Sequence, residues 1–167
     1  APGFVAREDE QTLAGADKDG DSHRATSLGE KRSEMTTLTD KQRKFLEQPF
    51  VGTLTTLRDD GSPHSTIVWV DTDTDEVLFN TAAGRAKERH LRRDPRVSLL
   101  VVDPEDTYRW LAISGNAELT TEGADAQIDK LAKKYLGKDE YPWRKPEEQR
   151  IKVRIRPDHV DSYGFDG

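Results

Sequence analysis

Cysteine is absent from the 167 residues, methionine occurs once, and aromatic side chains make up only 7%. The missing cysteines exclude a disulfide framework, a cysteine-based zinc site and a thiol nucleophile. Long hydrophobic runs are missing too. The densest, Leu99-Leu100-Val101-Val102, falls far short of the ~18 apolar residues that a membrane-spanning helix needs. The N-terminal stretch is acidic and polar where a secretory signal carries its apolar segment. An excess of positive charge is also lacking: 26 basic residues face 32 acidic ones, a net charge of −6, which disfavours non-specific nucleic-acid binding. These absences lead to the expectation of a soluble, cytoplasmic, single-domain protein with neither a membrane span nor a nucleic-acid partner.

What the chain has in abundance is charge, at 35% of residues against about 25% in an ordinary globular domain. Much of the dilution lies at the N-terminus. Between Ala1 and Glu34 only Phe4, Val5, Leu13 and Leu28 are large and apolar, too sparse to offset the entropy of ordering the segment. Residues 1–34 therefore read as a flexible polar leader, and residues 35–167 as the folded domain, beginning at Met35. Within the leader, Asp17, Asp19 and Asp21 alternate around Gly20 as in a calcium loop. The positions that an EF-hand reserves for glycine and a bidentate glutamate hold Ser22 and Leu28, so a solvated acidic loop is expected there.

Beyond Met35, Thr39-Asp40-Lys41-Gln42 is a capping box that predicts a short helix ending before Pro49. Val51 to Leu57 and Ser65 to Val70 read as strands around the turn Asp59-Asp60-Gly61, and an acidic turn from Asp71 to Glu76 leads to a third strand, Val77 to Thr81. Gly84 to Arg93 predicts a basic helix. Val97 to Val102, almost continuously apolar, predicts a strand buried on both faces. Tyr108 to Leu119 reads as a long strand with Gly115 at a bulge. Ala124, Ile128, Leu131, Ala132, Tyr135 and Leu136 fall at helical spacing, stopped by Gly137. Val153 and Ile155 alternate with Lys152, Arg154 and Arg156 as one strand, and His159 to Tyr163 as another. Six or seven strands with two or three interspersed helices predict a mainly-β, barrel-like α+β domain rather than a parallel sheet.

Chemistry concentrates between Asn80 and Arg96. A strand end, a small-residue turn and a helix start follow one another, with Arg85 and Lys87 in or just before the first helical turn. Unpaired backbone N–H groups at that end favour an anion, while cations there oppose the helix dipole unless an anion compensates. A phosphate site and a solvated basic face both account for the pattern. Trp69, beside Thr66 and Val68, is open to two readings as well: a wall for a flat ring ligand, or core. The histidines His23, His64, His90 and His159 show no metal-ligand spacing, so no metal is expected, and no catalytic nucleophile or general base stands out.

Together these stretches resemble the pyridoxamine-5′-phosphate-oxidase-like family, and within it the group that uses the deazaflavin coenzyme F420. The carriers are Val51-Gly52-Thr53-Leu54, Asp60-Gly61-Ser62-Pro63-His64, Val68-Trp69-Val70-Asp71, the Asn80 to Arg96 stretch, and Arg154-Ile155-Arg156-Pro157-Asp158-His159-Val160. The resemblance spans residues 36–163 and departs from the family at Ile67 and His90. It implies a split β-barrel with two or three short helices, forming a homodimer with cofactor sites at the subunit interface. It further implies that Arg85 and Lys87 bind the cofactor phosphate, that Thr66, Ile67, Val68 and Trp69 lie along the ring, and that Asn80 and Thr81 contact the ring or its ribityl chain. The activity implied is transfer of a hydride between reduced F420 and a small organic acceptor. An FMN-binding flavin reductase or B6-type oxidase is the alternative, and a non-catalytic F420 carrier the second. Residues 103–109 and 137–149 are the loops expected to shape the pocket for the small-molecule substrate.

Overall fold

The computed structural model describes residues 36–74 and 76–165; the polar leader over 1–34 and its aspartate loop lie outside the described residues. Ten elements follow in order. Helix α1 (Asp40–Leu46) precedes strands β1 (Gly52–Leu57), β2 (Pro63–Val68), β3 (Asp71–Asp73) and β4 (Glu76–Ala82). Helix α2 (Ala86–Arg93) is followed by β5 (Arg96–Val102), β6 (Trp110–Thr120), α3 (Ala124–Leu136) and β7 (Arg150–Tyr163). The seven strands form one sheet in the order β2-β1-β5-β6-β7-β4-β3, and every pairing is antiparallel. The two outermost strands, β2 and β3, are joined by Trp69 and Val70 alone. Two linking residues span roughly 10 Å at most, so the sheet must curl until its edges meet at that corner. The result is a curled antiparallel split barrel with three helices.

Local chemistry accounts for the elements. Thr39 Oγ1 accepts from the Gln42 N–H at 3.2 Å while Gln42 Oε1 accepts from the Thr39 N–H at 2.9 Å, closing the reciprocal cap at the start of α1. Gly137, at φ +69°, ends α3 in the left-handed region. Gly115 marks the register shift between β6 and β7, and a Cβ there would collide with the Arg156 carbonyl. Leu54, Phe79, Leu99, Leu111, Ile113, Val153 and Ile155 are all buried in the core, packed inside the curl.

Three expectations change. Strand β5 is not buried on both faces, because Leu100 remains 40% exposed. Among the described residues no helix covers the outer face there: Leu100 and Ile67 both stand opposite Thr53 across β1, and Ile67 is 61% exposed. The acidic segment from Asp71 is not all turn, since Asp71–Asp73 forms a short edge strand against Glu76–Leu78. Lys130 Nζ holds the Asp71 carboxylate at 2.8 Å, offsetting the charge in the ladder. The two C-terminal strands are one, β7, running on through Pro157. The bulge opposite Gly115 lets it change alternation without leaving the sheet.

Candidate functional site: a cationic, aromatic cleft

A cavity of about 220 Å³ opens between the β2 end, β4, the start of α2 and α3. Six of the eight residues singled out from sequence line it: Ile67, Val68, Trp69, Asn80, Arg85 and Lys87. The remaining two face elsewhere. Thr66 shares the inner face of β2 with Val68, opposite Leu54. Thr81 is buried with Val77 and Phe79, one residue out of phase with Asn80. Both hydroxyls are buried without a hydrogen-bond partner among the described residues.

The floor of the cleft is tied down by α3. Lys134 Nζ donates to the Leu46 carbonyl at 2.5 Å and to the Val70 carbonyl at 2.6 Å. The Tyr135 hydroxyl accepts from the Val70 N–H at 2.9 Å and donates to the Phe50 carbonyl at 2.6 Å. Burial pushes the Lys134 ammonium down to about 8 and the Tyr135 phenol up to about 12. Trp69 stacks on Tyr135, with ring centroids 5.2 Å apart and planes 6° from parallel. Trp69 is thus neither core nor free: one face is fixed by Tyr135 and the indole borders the cleft. Tyr141 meets Trp69 edge-on at 6.2 Å, and Trp143 meets Tyr141 at 5.6 Å.

Opposite these rings stands a cluster of cations. Arg85 is the N-cap residue of α2 and caps nothing with its side chain; its guanidinium reaches Glu148 at 2.9 Å. Arg150, at the start of β7, donates to Asn80 Oδ1 at 2.9 Å and to Glu148, and lies 4.9 Å from the Tyr141 ring centroid. Asn80 in turn donates to the Ala124 carbonyl and to Gln127 on α3. Lys87 has no hydrogen bond or ion pair among the described residues. Burial, with Arg85 and Arg150 nearby, holds its ammonium below the ordinary lysine range. Two arginines therefore share one carboxylate and Lys87 beside them has none, leaving a net positive cleft suited to an anionic ligand.

The sequence reading missed Arg150, Tyr141 and Trp143, together with the apolar wall from Ile128 and Leu131 of α3. A signal existed for the loop: Tyr141-Pro142-Trp143 is an aromatic pair inside an otherwise charged stretch. Arg150 carried none, because only the tertiary fold sets it beside Asn80. The loop 137–149 reaches the cleft through these aromatics, whereas residues 103–109 do not line it. His90 lies off the cleft, buried, with Nδ1 2.9 Å from Thr56 Oγ1, and His64 packs edge-on against it at 5.2 Å. Burial and the neighbouring cations hold the His64 imidazolium below its usual range. Among the described residues no His, Asp or Glu group is arranged to hold a metal, and no helix is long and apolar enough to cross a membrane.

A curled split barrel carrying a cationic, aromatic-lined cleft at its closing corner defines the class of protein. The chain belongs to the pyridoxamine 5′-phosphate oxidase family, whose model matches residues 38–162. It is similar to an F420H(2)-dependent biliverdin reductase of Mycobacterium tuberculosis, 27% identical over 125 residues that cover 75% of this chain and 88% of that protein. Among solved structures, it superposes on an F420 reductase with a TM-score of 0.63 at 29% identity, covering 71% of this chain and 94% of the other. A conserved hypothetical protein of M. tuberculosis, Rv2991, gives 0.62 at 25% identity, with 83% and 91% covered.

Proposed function

We propose that the protein is an oxidoreductase that binds coenzyme F420 in this cleft and passes a hydride between the reduced coenzyme and a small organic acceptor. The observation that carries the reading is the pairing of a fixed indole wall with three cations, two of which share one carboxylate while the third, Lys87, has no partner among the described residues. Together they match a flat ring bearing an anionic side chain. The two relatives named for F420 support the deazaflavin over other rings. In this reading Arg85 and Lys87 hold the cofactor phosphate, with Arg150 beside them. Thr66, Ile67, Val68 and Trp69 form the strand edge along the ring, Thr66 through its backbone. Asn80 reaches the ring or ribityl chain, with Thr81 supporting it from inside the barrel.

The chemistry that such a cofactor supplies when bound is hydride transfer, so the chain needs no nucleophile of its own. Its residues bind the anion, fix the ring wall and, through Tyr141 and Trp143, narrow the cleft against water. The same reading makes the protein a cytoplasmic homodimer. Ile67, Leu100 and Val51 are large apolar side chains left 61%, 40% and 48% exposed, and Ile67 also lines the cleft, so a partner covering this face would border the cofactor.

The test is a side-by-side titration of the protein with F420 and FMN, followed by quenching of tryptophan fluorescence. Trp69 and Trp143 both border the cleft, so occupancy is expected to dim them. Preferential binding of F420, followed by turnover with an acceptor, is the expected result. Preference for FMN moves the function to flavin chemistry in the same cleft. Tight F420 binding without turnover across a broad acceptor panel makes the protein a carrier.

A further inference from the structure

Two arginines of the cleft are already engaged by a carboxylate from the chain itself. Glu148 Oε1 accepts from Arg85 and from Arg150, while Lys87 beside them has no partner among the described residues. The Arg150 side chain is only 5% exposed and that of Glu148 17%. This is no solvated surface pair: a buried guanidinium requires an anion nearby, whoever supplies it.

The backbone around Glu148 is fixed. Its N–H donates to the Lys145 carbonyl at 3.1 Å, and the next carbonyl, that of Gln149, accepts from Ala83 at 2.9 Å. The Glu148 side chain has a second place to go. It also borders a cavity of about 440 Å³ lined by Asp125, Arg144 and Lys145. There Arg144 is already paired with Asp125 and Asp129, and Lys145 is the cation left to receive the carboxylate among the described residues. A change of side-chain rotamer is the movement that would carry the carboxylate from Arg85 and Arg150 towards Lys145.

We propose that Glu148 is a built-in counter-ion which an incoming phosphate displaces from Arg85 and Arg150 into the second cavity. Its presence keeps the two guanidinium forks aligned in the empty protein. It also sets a threshold for entry. A simple monocarboxylate offers the arginines nothing that the tethered carboxylate does not, whereas a phosphate group gains Lys87 as well. Glu148 is therefore a specificity-determining residue for phosphate-bearing ligands. The inference rests on the reading of the cleft as an anion-binding cofactor site, and deepens it.

Inorganic pyrophosphate, titrated calorimetrically into the full chain, isolates the exchange from any choice of cofactor. The Glu148→Gln variant keeps the size of the side chain and one acceptor, and is expected to bind pyrophosphate about tenfold more tightly than the parent. Equal or weaker binding at an unchanged melting temperature overturns the proposal and makes Glu148 a strut for the arginines. Absence of pyrophosphate binding to both proteins overturns it too. Lys145→Ala, which leaves the cleft cations intact, is expected to weaken pyrophosphate about threefold, because the displaced carboxylate loses a partner; no change overturns the proposed destination. Tighter pyrophosphate binding in Glu148→Gln without any F420 or FMN binding leaves the exchange standing while the cofactor reading fails.

Discussion

Lys134 and Lys87 are both partly buried lysines whose ammonium groups burial disfavours, yet their surroundings differ completely. Lys134 donates to two carbonyls, one closing α1 and one on the linker between β2 and β3. Lys87 stands beside two arginines and donates to nothing among the described residues. The first is compensated within the fold, so it belongs to the corner where the sheet closes. The second has no such partner among the described residues, the setting in which a bound anion would compensate a desolvated ammonium. The contrast separates a lysine whose partners lie within the fold from one that the proposed function assigns to a ligand.

The sharpest way to break this contrast is to remove the waiting cations together. Arg85→Ala with Lys87→Ala is expected to lower affinity for F420 by at least a hundredfold, at about 1.5–3 kcal/mol for each charge-assisted hydrogen bond, and to leave the melting temperature nearly unchanged. Near-normal affinity in a fluorescence titration of the double variant defeats the site assignment. On the other side, Lys134→Met is expected to cost about 2–3 kcal/mol of stability by removing two charge-assisted bonds from a partly exposed group. Urea unfolding checks it, and a loss under 0.5 kcal/mol would remove Lys134 from the closure. Tyr135→Phe keeps the stack on Trp69 but leaves the Val70 N–H without its acceptor, for an expected loss of about 1–2 kcal/mol with unchanged indole fluorescence.

The smallest effect is one of pH. In the empty protein the Lys87 pKa lies below its ordinary 10.5 through burial and the nearby Arg85 and Arg150. A bound anion favours the ammonium and raises that pKa, so binding takes up protons in the alkaline range between the two values. Affinity for F420 should therefore fall as pH rises through that window, and the slope should vanish in Lys87→Met. A slope that survives the substitution assigns the linkage elsewhere. For stability the sign is opposite: with its folded pKa lowered to about 8, Lys134 makes the protein gain stability relative to Lys134→Met as pH climbs from 8 towards the unfolded value.

How much of this was readable in the sequence depended on the range of the interactions. Short-range signals served well: the Thr39–Gln42 box, the Gly137 stop and the Gly115 bulge each encode a local backbone event. The apolar run at Val97–Val102 misled, because periodicity cannot distinguish a strand covered by the chain's own helix from one with a bare outer face. The strand break imagined near Pro157 misled for the converse reason, since a bulge preserves pairing where the local sequence looks interrupted. Of the cleft, Arg85 and Lys87 were visible beside a predicted helix start. Arg150 was not, because its place next to Asn80 follows from the β4–β7 register, a pairing that links Leu78 to Arg154 and leaves no local trace.

The link of Trp69 and Val70 between the two ends of the sheet bears on how the chain folds. Strands β2 and β3 are the most distant pair in the order of the sheet, yet only two residues separate them in sequence. Bringing their ends together encloses almost no loop, so this corner costs little closure entropy. The contact order of the fold is raised instead by the sequence-distant pairings, Gly52 with Val101 and Val77 with Ile155, and such pairings slow folding. Once those ladders form, the corner that carries the indole wall is already in place.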